Sequence, residues 1–450
     1  MKIKLHLAAL CAVFACGSTT AITPNPLMSR GLTAHTSAGD NTYITDGTLT
    51  NWKQCKAKDI ALNIGEGPKR LFITWESYGD CAWATNFTNN CGHNGTPLKN
   101  FKILTSANST NGQDGDWEEA ATIENNPVMS RGVYIDFDGK SWFRFVSEEN
   151  VGEILEIEAF DMSNGGDDTW FFMGTSISQM GLKQQETDST TADILHARFP
   201  NHTPAMLRGG IGCINSTEVV AHLSDYLKYA GNVKHWAIEM GTNDCWGGGD
   251  WNLENYRKNM QTIIDSAKAH GIEPIIARII ATDSAKAGWQ VNPKYLDLID
   301  ELTETNNLHP GPDFYTYFKE HEGLHASDGV HPNGENGGGQ AMHHLWAEAL
   351  APLYEKSDTL PTDSTATHTQ LTPNTKFQIP QITLKGSSLQ VSGLGNEGAT
   401  VAIYTPNGKL IEQGKLTADS GSYPINTAKG TYLVVVRTKQ NSVTTKVVMQ

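Results

Sequence analysis

The hydrophobic positions between residues 22 and 163 come in short runs that are separated by Gly, Asn and Asp. Several runs alternate apolar with polar residues, as in Trp142-Phe-Arg-Phe-Val, and none has helical spacing. Strands are predicted at residues 58–64, 70–76, 100–105, 132–137, 141–146 and 153–160. Short strands with turn signals between them predict a β-sandwich for this first segment.

The pattern changes after a turn-rich joint at Ser163-Asn-Gly-Gly-Asp-Asp. From residue 168 to residue 355, apolar runs alternate with stretches of helical spacing. Strands are predicted at residues 169–173, 235–240 and 274–280, and helices at residues 218–229, 253–267 and 340–354. This alternation predicts an α/β domain, a three-layer fold in which a parallel sheet has helices on both faces. Its functional site should lie at the carboxyl ends of the strands.

Both ends of the chain have patterns of their own. Lys2 and Lys4 precede a short apolar run, as in a signal peptide of residues 1–21. Cleavage after Ala21 is favoured, and lipidation of Cys16 is the alternative. Residues 356–375 have the composition of a linker, and residues 376–450 are β-rich, as in a second small sandwich. No later segment is apolar for long enough to span a membrane.

Charge and cysteine content narrow the possible partners and the compartment. The 450-residue chain has a formal net charge of −15, which becomes −17 without the predicted signal peptide. So acidic a chain, with no basic stripe, is not expected to bind nucleic acid. Five cysteines follow the signal peptide without a CxxC pair, so we expect disulfides in an exported protein and one thiol left over.

Four separated segments of the α/β domain carry residues suited to ester hydrolysis. Such chemistry needs a nucleophile, a base, a group that orients the base, and donors for the oxyanion. The segments are Gly174-Thr-Ser176-Ile-Ser-Gln-Met-Gly181, Arg208-Gly-Gly-Ile-Gly212-Cys, Gly241-Thr-Asn243-Asp244 and Asp328-Gly-Val-His331-Pro-Asn.

In these four segments the chain resembles the SGNH (GDSL) hydrolases, which contribute a serine, a glycine, an asparagine and a histidine in this order. The resemblance covers roughly residues 168–355. It implies that Ser176 is the nucleophile, His331 the general base and then acid, and Asp328 the carboxylate that orients the imidazole. It also implies oxyanion donors from the N–H groups of Ser176 and Gly212 and from the side-chain amide of Asn243. No metal or other cofactor is expected.

Two positions leave alternatives open. Gly210 is a rival to Gly212 in the second segment, and Thr175 stands where the family usually has aspartate. A competing motif, His321-Glu-Gly-Leu-His325, fits the HExxH pattern of zinc proteases, with His331 as a third ligand. That site needs a continuous helix, which Gly323 disfavours. A loop His-Glu pair is the ordinary explanation of this motif.

Cysteines and tryptophans border the candidate site. Cys213 follows Gly212 and Cys245 lies two residues after Asn243, so a disulfide between them is a hypothesis. Trp246 and Trp251 follow directly in the loop Cys-Trp-Gly-Gly-Gly-Asp-Trp, where they could stack on a sugar ring. The alternative is that they pack on the following helix.

Two further resemblances concern the outer segments. Residues 22–163, with Asp46-Gly, Trp52 and Gly115-Asp-Trp117, resemble discoidin-type jelly rolls, which implies a carbohydrate-binding or accessory role. Residues 376–450, with Asn407-Gly408 and Gly430-Thr-Tyr, resemble the sorting domains of the type IX secretion system. This implies export across an outer membrane, to the medium or to the bacterial cell surface.

Together these features predict a secreted carbohydrate O-esterase. A jelly roll ahead of an SGNH domain resembles family 2 carbohydrate esterases, so the expected reaction is removal of acetyl groups from a plant polysaccharide such as xylan. The expected partner is an acetylated polysaccharide or oligosaccharide, and the protein is expected to be a monomer. A lipase or thioesterase of the same fold, or a non-catalytic glycan-binding protein with a degenerate esterase domain, are the alternatives.

Overall fold

The structure is a computed structural model that divides into two compact units, Met1–Pro361 and Thr362–Gln450. In the first unit it describes residues 21–49, 55–79, 95–147, 153–182, 189–334 and 337–358. In the second unit it describes residues 381–385, 388–392, 399–405, 410–416, 420–425, 428–437 and 442–449. The predicted signal peptide, apart from Ala21, and residues 359–375 of the predicted linker lie outside these ranges.

Among the described residues of the amino-terminal part of the first unit, seven antiparallel strands form two sheets. One sheet has the order β1-β6-β3-β4 and the other the order β5-β2-β7. Their bounds are β1 Asp59–Asn63, β2 Arg70–Ser77, β3 Phe101–Ser106, β4 Glu118–Ile123, β5 Ser130–Asp136, β6 Trp142–Val146 and β7 Ile154–Asp161. Six of the strands lie where the apolar runs predicted them. The apolar pattern does not predict β4, because its residues Glu-Glu-Ala-Ala-Thr-Ile contain almost no β-forming apolar pattern.

A continuous apolar core holds the two sheets together. Trp75 of β2 lies edge-on to Phe101 of β3 with ring centroids 5.0 Å apart, and Phe101 stacks on Phe145 of β6 at 5.3 Å. All three rings are buried. Aromatic pairs across the two inner faces are the packing expected of a β-sandwich.

In the described residues of the α/β part, five parallel strands form a sheet with the order β12-β11-β10-β8-β9. They are β8 Thr169–Gly174, β9 Ala205–Gly210, β10 His235–Glu239, β11 Glu273–Arg278 and β12 Pro310–Asp313. The helices are α1 Ser176–Gly181, α2 Thr191–Arg198, α3 Ser216–Ala221, α4 Leu223–Ala230, α5 Leu253–Ala269, α6 Ser284–Ala287, α7 Pro293–Thr305, α8 Phe314–Glu320 and α9 Gly338–Asp358. Short 3-10 helices occur at Trp246–Gly248 and Glu322–Leu324.

Alternate residues of β8 belong to two different cores. Phe171 and Met173 pack in a core that includes residues of α5 and α7, whereas Trp170 and Phe172 pack in a core that includes residues of α9. Strands that are buried on both faces carry continuous apolar runs, which is why Thr-Trp-Phe-Phe-Met-Gly is apolar throughout. The predicted fold class, a parallel α/β sheet with helices on both faces and with β-sandwich regions before and after it, is confirmed.

The short elements were harder to predict. Strands β9 and β12 are not predicted from the sequence, because they contain Gly or Pro and few β-branched residues. The sequence predicts one helix over residues 218–229, but the structure has α3 and α4 with a break at His222. The sequence also places the end of the last helix at Tyr354, whereas α9 continues to Asp358, into the predicted linker.

The β-sandwich packs on the edge strand of the parallel sheet. Arg208 of β9 donates its backbone N–H to Ser130 Oγ of β5 at 2.9 Å, and its guanidinium forms an ion pair with Glu76 of β2. Phe72 and Phe160 of the sandwich belong to the same core as Phe171. The two parts therefore share a core and an ion pair whose side chains are only 8% and 11% exposed.

The described part of the second unit contains two antiparallel sheets, with the orders β13-β14-β17 and β16-β15-β18-β19. Their strands are β13 Gln381–Lys385, β14 Ser388–Ser392, β15 Ala399–Tyr404, β16 Leu410–Leu416, β17 Ser420–Pro424, β18 Gly430–Arg437 and β19 Ser442–Met449. A small apolar core between them includes Val391, Val401 and Val434. Across the described parts of both units, no helix is long and apolar enough to cross a membrane.

We predict that Glu76→Leu lowers the free energy of unfolding by about 3 kcal/mol or more, because it leaves the Arg208 guanidinium buried without its counter-charge. Urea denaturation measures the change. Glu118→Leu is the control, since the Glu118–Lys140 pair is exposed on the Glu118 side and should contribute less than about 1 kcal/mol. If the double variant Glu76→Leu/Arg208→Met recovers most of the lost unfolding free energy, the unpaired charge is confirmed as the cause. Equal losses of unfolding free energy in Glu76→Leu and Glu118→Leu would contradict it.

Candidate functional site

The first predicted segment forms the turn between β8 and α1. Gly174 is the last residue of β8, and Thr175 caps α1 by accepting the Ile177 N–H at 3.2 Å. Ser176 is the first residue of the helix. N–H groups in the first turn have no acceptor within their own helix, so the Ser176 N–H occupies a position suited to binding a negatively charged oxygen.

Ser176, His331 and Asp328 form a hydrogen-bonded chain. Ser176 Oγ lies 2.8 Å from His331 Nε2, and His331 Nδ1 lies 2.7 Å from Asp328 Oδ2. Serine and histidine are 155 positions apart in the sequence, the serine at the start of α1 and the histidine on a loop. This is the arrangement of a serine whose proton an imidazole can accept while a carboxylate holds the imidazole in one tautomer.

The loop itself keeps Asp328 in place. Its Oδ1 accepts the N–H groups of Val330 at 2.9 Å and of His331 at 3.1 Å. Partial burial favours the neutral acid, but the bonds from the His331 ring and from these two N–H groups outweigh it and lower the pKa of Asp328. Asp328 is therefore a carboxylate at neutral pH, and it accepts a hydrogen bond from the Nδ1–H group of His331.

The segment that follows β11 forms hydrogen bonds with the loop that carries His331. The Asp283 N–H donates to Gly329 O at 2.8 Å, and His325 Nε2 lies 2.6 Å from Ala281 O. Both partners belong to the segment that follows β11. The His331 loop is thus anchored to the sheet edge that carries Ser176.

The second and third predicted segments meet after β9 and β10, the two strands that flank β8. Asn243 donates its side-chain Nδ2 to Ile214 O at 2.7 Å, and Asp244 accepts the N–H and the hydroxyl of Ser216. Burial raises the pKa of Asp244 to about 6, although the bonds from Ser216 oppose the rise. Gly212 is buried just before Ile214, so its segment and the Asn243 segment lie at the carboxyl edge that Ser176 occupies.

The predicted disulfide between Cys213 and Cys245 is wrong. Cys213 is disulfide-bonded, but Cys245 is a free, buried thiol in the apolar core that also contains Tyr256 and Tyr295. Burial raises the pKa of Cys245 to about 12, so the thiol is unreactive. Hydrogen bonds from Asn243 and Ser216 join the two loops instead.

Gly210, the rival of Gly212, has a packing role. A Cβ atom on Gly210 would lie 2.3 Å from the Gln179 backbone N of α1, closer than real Cβ contacts. A Cβ on Gly174 would likewise lie 2.1 Å from Ser178 Oγ. Helix α1 therefore lies directly against the ends of β8 and β9, and only glycine permits this approach.

The HExxH segment does not form the helix that a zinc protease needs. His321 follows the end of α8, Glu322–Leu324 is a 3-10 turn, and His325 is extended. The His321 ring stacks on Tyr317 with centroids 4.2 Å apart, whereas the His325 ring packs against Phe318. Within the described residues, no group of three or more His, Cys, Asp or Glu side chains could hold a metal ion.

Trp246 and Trp251 are exposed, at 50% and 65% of their surface. Together with Ile411 they are the exposed large apolar side chains among the described residues. Trp246 lies beside Trp289 with ring centroids 5.2 Å apart, and Asn292 Nδ2 donates to Gly248 O between the same two loops. At these exposures neither ring is buried.

A buried acid beside the serine turn escaped the sequence analysis. Glu239 ends β10 opposite Gly174, and its Oε2 accepts from the Thr175 N–H, the Thr175 hydroxyl and the Ser178 hydroxyl. The available signal was a lone carboxylate in the otherwise buried run His-Trp-Ala-Ile-Glu-Met, directly before the third segment.

Comparison with known proteins leaves the family undecided. No protein-family model matches the chain, and no curated protein matches it. Among solved structures, a lipase/acylhydrolase from Enterococcus faecalis is 16% identical over 41% of this chain and 95% of its own, with a TM-score of 0.33. A variant of an acetyl xylan esterase from Geobacillus stearothermophilus is 16% identical over 41% of this chain and 94% of its own, with a TM-score of 0.31.

A Bacillus subtilis protein is 12% identical over a longer stretch, 75% of this chain and 91% of its own, with a TM-score of 0.36. Identities and TM-scores this low do not establish a shared function.

We predict that Gly210→Ala lowers the free energy of unfolding by about 1–3 kcal/mol, because the new methyl group must displace the backbone of α1. Urea denaturation measures it. Gly323→Ala is the matched control, since a Cβ there meets no atom within 4 Å and should change stability by less than about 0.5 kcal/mol. Equal effects of the two substitutions would contradict the close packing of α1 on β9.

Proposed function

We propose that this protein is a secreted SGNH-type serine esterase that removes O-acetyl groups from a plant polysaccharide such as xylan. The observation that carries the proposal is the chain from Ser176 through His331 to Asp328, with separations of 2.8 and 2.7 Å. A non-catalytic descendant of an esterase would have no need to keep all three groups in hydrogen-bonding contact. The preserved hydrogen bonds between Ser176, His331 and Asp328 therefore favour an active enzyme.

The first half of the reaction forms an acyl-enzyme. Ser176 Oγ attacks the carbonyl carbon of the acetyl group while its proton passes to His331 Nε2. Asp328 holds the opposite ring nitrogen and stabilises the imidazolium that forms. The imidazolium then gives its proton to the departing sugar oxygen, and the acetyl group remains on Ser176.

The second half repeats these steps with water. His331 accepts a proton from the water molecule that attacks the acetyl-serine carbonyl, and acetate leaves as the proton returns to Ser176 Oγ. In both halves the carbonyl oxygen becomes negatively charged. The N–H groups of Ser176 and Gly212 and the amide of Asn243 are the proposed donors, each worth about a hundred- to thousandfold in turnover. No step uses a metal or another cofactor.

The tryptophans favour a carbohydrate over a lipid. Trp246 and Trp251 present apolar ring faces to solvent on the loop that follows Asn243. Flat exposed rings beside polar loops suit stacking on a sugar, whereas a long acyl chain needs an enclosed apolar groove. The exposure of these two rings favours an acetylated polysaccharide or oligosaccharide as the substrate. We further propose that the protein acts as a monomer, in the medium or at the bacterial cell surface.

We predict that Ser176→Ala lowers kcat for acetate release from acetylated xylan and from a small aryl acetate by at least about a thousandfold, because the acyl-enzyme cannot form. Acetate is measured directly, and circular dichroism checks the fold. Full activity of Ser176→Ala on both substrates would contradict the proposal. So would loss of wild-type activity with a chelator but not with a serine-directed phosphonate, since that would indicate metal-dependent chemistry.

We predict that Trp246→Ala and Trp251→Ala each raise KM for an acetylated xylo-oligosaccharide about fivefold, the loss of about 1 kcal/mol of stacking, and leave KM for the aryl acetate unchanged. Steady-state kinetics measure both constants. Ile411→Ala, which removes another exposed apolar side chain, is the control and should change neither. A preference for long-chain aryl esters in the wild type would instead indicate a lipase or thioesterase.

A further inference from the structure

The carboxylate of Glu239 makes all of its described hydrogen bonds to Thr175 and Ser178, which lie on either side of Ser176 in the sequence. Its Oε2 accepts the Thr175 N–H at 3.2 Å, the Thr175 hydroxyl at 3.1 Å and the Ser178 hydroxyl at 3.1 Å. These donors lie immediately before Ser176 and two residues after it. The other oxygen, Oε1, is buried without a hydrogen-bond partner.

A buried carboxylate is costly to keep. Glu239 is 1% exposed, and burial raises its pKa to about 7 even though the bonds from Thr175 and Ser178 lower it. An apolar side chain of similar size would avoid this cost in a strand whose neighbours Ala237 and Ile238 are apolar and buried. Retention of an acid here therefore calls for a role that an apolar residue cannot perform.

The Glu239 carboxylate packs closely against the residues that precede Ser176. Glu239 is the β-sheet neighbour of Gly174, and a Cβ on Gly174 would lie 3.0 Å from Glu239 Oε2. The end of β8, the first turn of α1 and the end of β10 thus meet at one carboxylate oxygen. A shift of that oxygen would move the residues on both sides of Ser176.

We propose that Glu239 is a positioning residue, which holds Thr175 and Ser178 so that Ser176 Oγ stays within hydrogen-bonding distance of His331 Nε2. This inference rests on the proposed function. It also explains Thr175, which stands where SGNH hydrolases usually have aspartate. A threonine offers Glu239 a hydroxyl donor, whereas an aspartate would place a second carboxylate about 3 Å from the first, where both cannot be ionised.

The decisive experiment compares Glu239→Leu with Glu239→Gln. We expect Glu239→Leu to lower kcat on the aryl acetate about a hundredfold with KM unchanged, because the serine is displaced while the substrate surface is untouched. Glu239→Gln keeps an acceptor oxygen for Thr175 and should stay within about threefold of wild type. A loss of activity that Gln does not restore would contradict positioning by hydrogen bonds.

Asp168→Leu is the matched control for the loss of a buried acid. Asp168 precedes β8 at the opposite end of the sheet and binds the Trp170 indole and the Tyr354 hydroxyl. The substitution Asp168→Leu should lower the temperature of unfolding as much as Glu239→Leu does, and it should leave kcat of the folded protein unchanged. An equal loss of kcat in both variants would reduce Glu239 to a stability residue.

A second comparison does not depend on whether Glu239→Leu folds. Thr175→Asp should lower kcat at least tenfold as the pH rises above about 7, where Glu239 loses its proton and repels the new carboxylate, and Thr175→Asp/Glu239→Gln should recover most of the loss because the amide can donate to that carboxylate. No recovery would overturn the inference. Ser176→Ala, measured alongside, separates the two proposals: if it stays active, the proposed function fails whatever Glu239 does.

Discussion

The close approach of α1 to the ends of β8 and β9 is the constraint on which the rest of the site depends. Gly174 and Gly210 have no side chain, so the backbone at Gln179 and the hydroxyl of Ser178 lie where a Cβ would otherwise be. This approach places Ser176 at the carboxyl edge of the sheet. From there its Oγ contacts His331, which arrives 155 residues later on a loop of its own.

The histidine loop and the tryptophan loops share one support. The segment between β11 and α7 binds the His331 loop through Asp283 and Ala281, and it contacts the Trp246 loop through Trp289 and Asn292. A catalytic group and a candidate sugar-binding surface are therefore anchored to the same stretch of chain. That stretch follows β11 of the parallel sheet, whose strands β8 and β10 are buried on both faces.

The β-sandwich is part of this framework and not a loosely attached module. It shares an apolar core with the parallel sheet and contributes Glu76 to a nearly buried ion pair with Arg208 of β9. Because β9 also carries Gly210 at its end, the sandwich supports the strand against which α1 packs. The sequence alone predicted the sandwich from residues 22–163, but local patterns hold no information about which strand it contacts.

The sequence by itself determined what depends on local pattern: the apolar strands such as β8, the amphipathic helix α5, the fold class, and the four segments that carry Ser176, Gly212, Asn243 and the pair Asp328–His331. Only the tertiary structure decided what depends on distant residues. It showed Cys245 to be a free thiol, left Trp246 and Trp251 exposed, and put the carboxylate of Glu239 beside Thr175. The reason is physical: periodicity records which face of an element is buried, whereas contacts between strand ends arise only when the whole sheet is assembled.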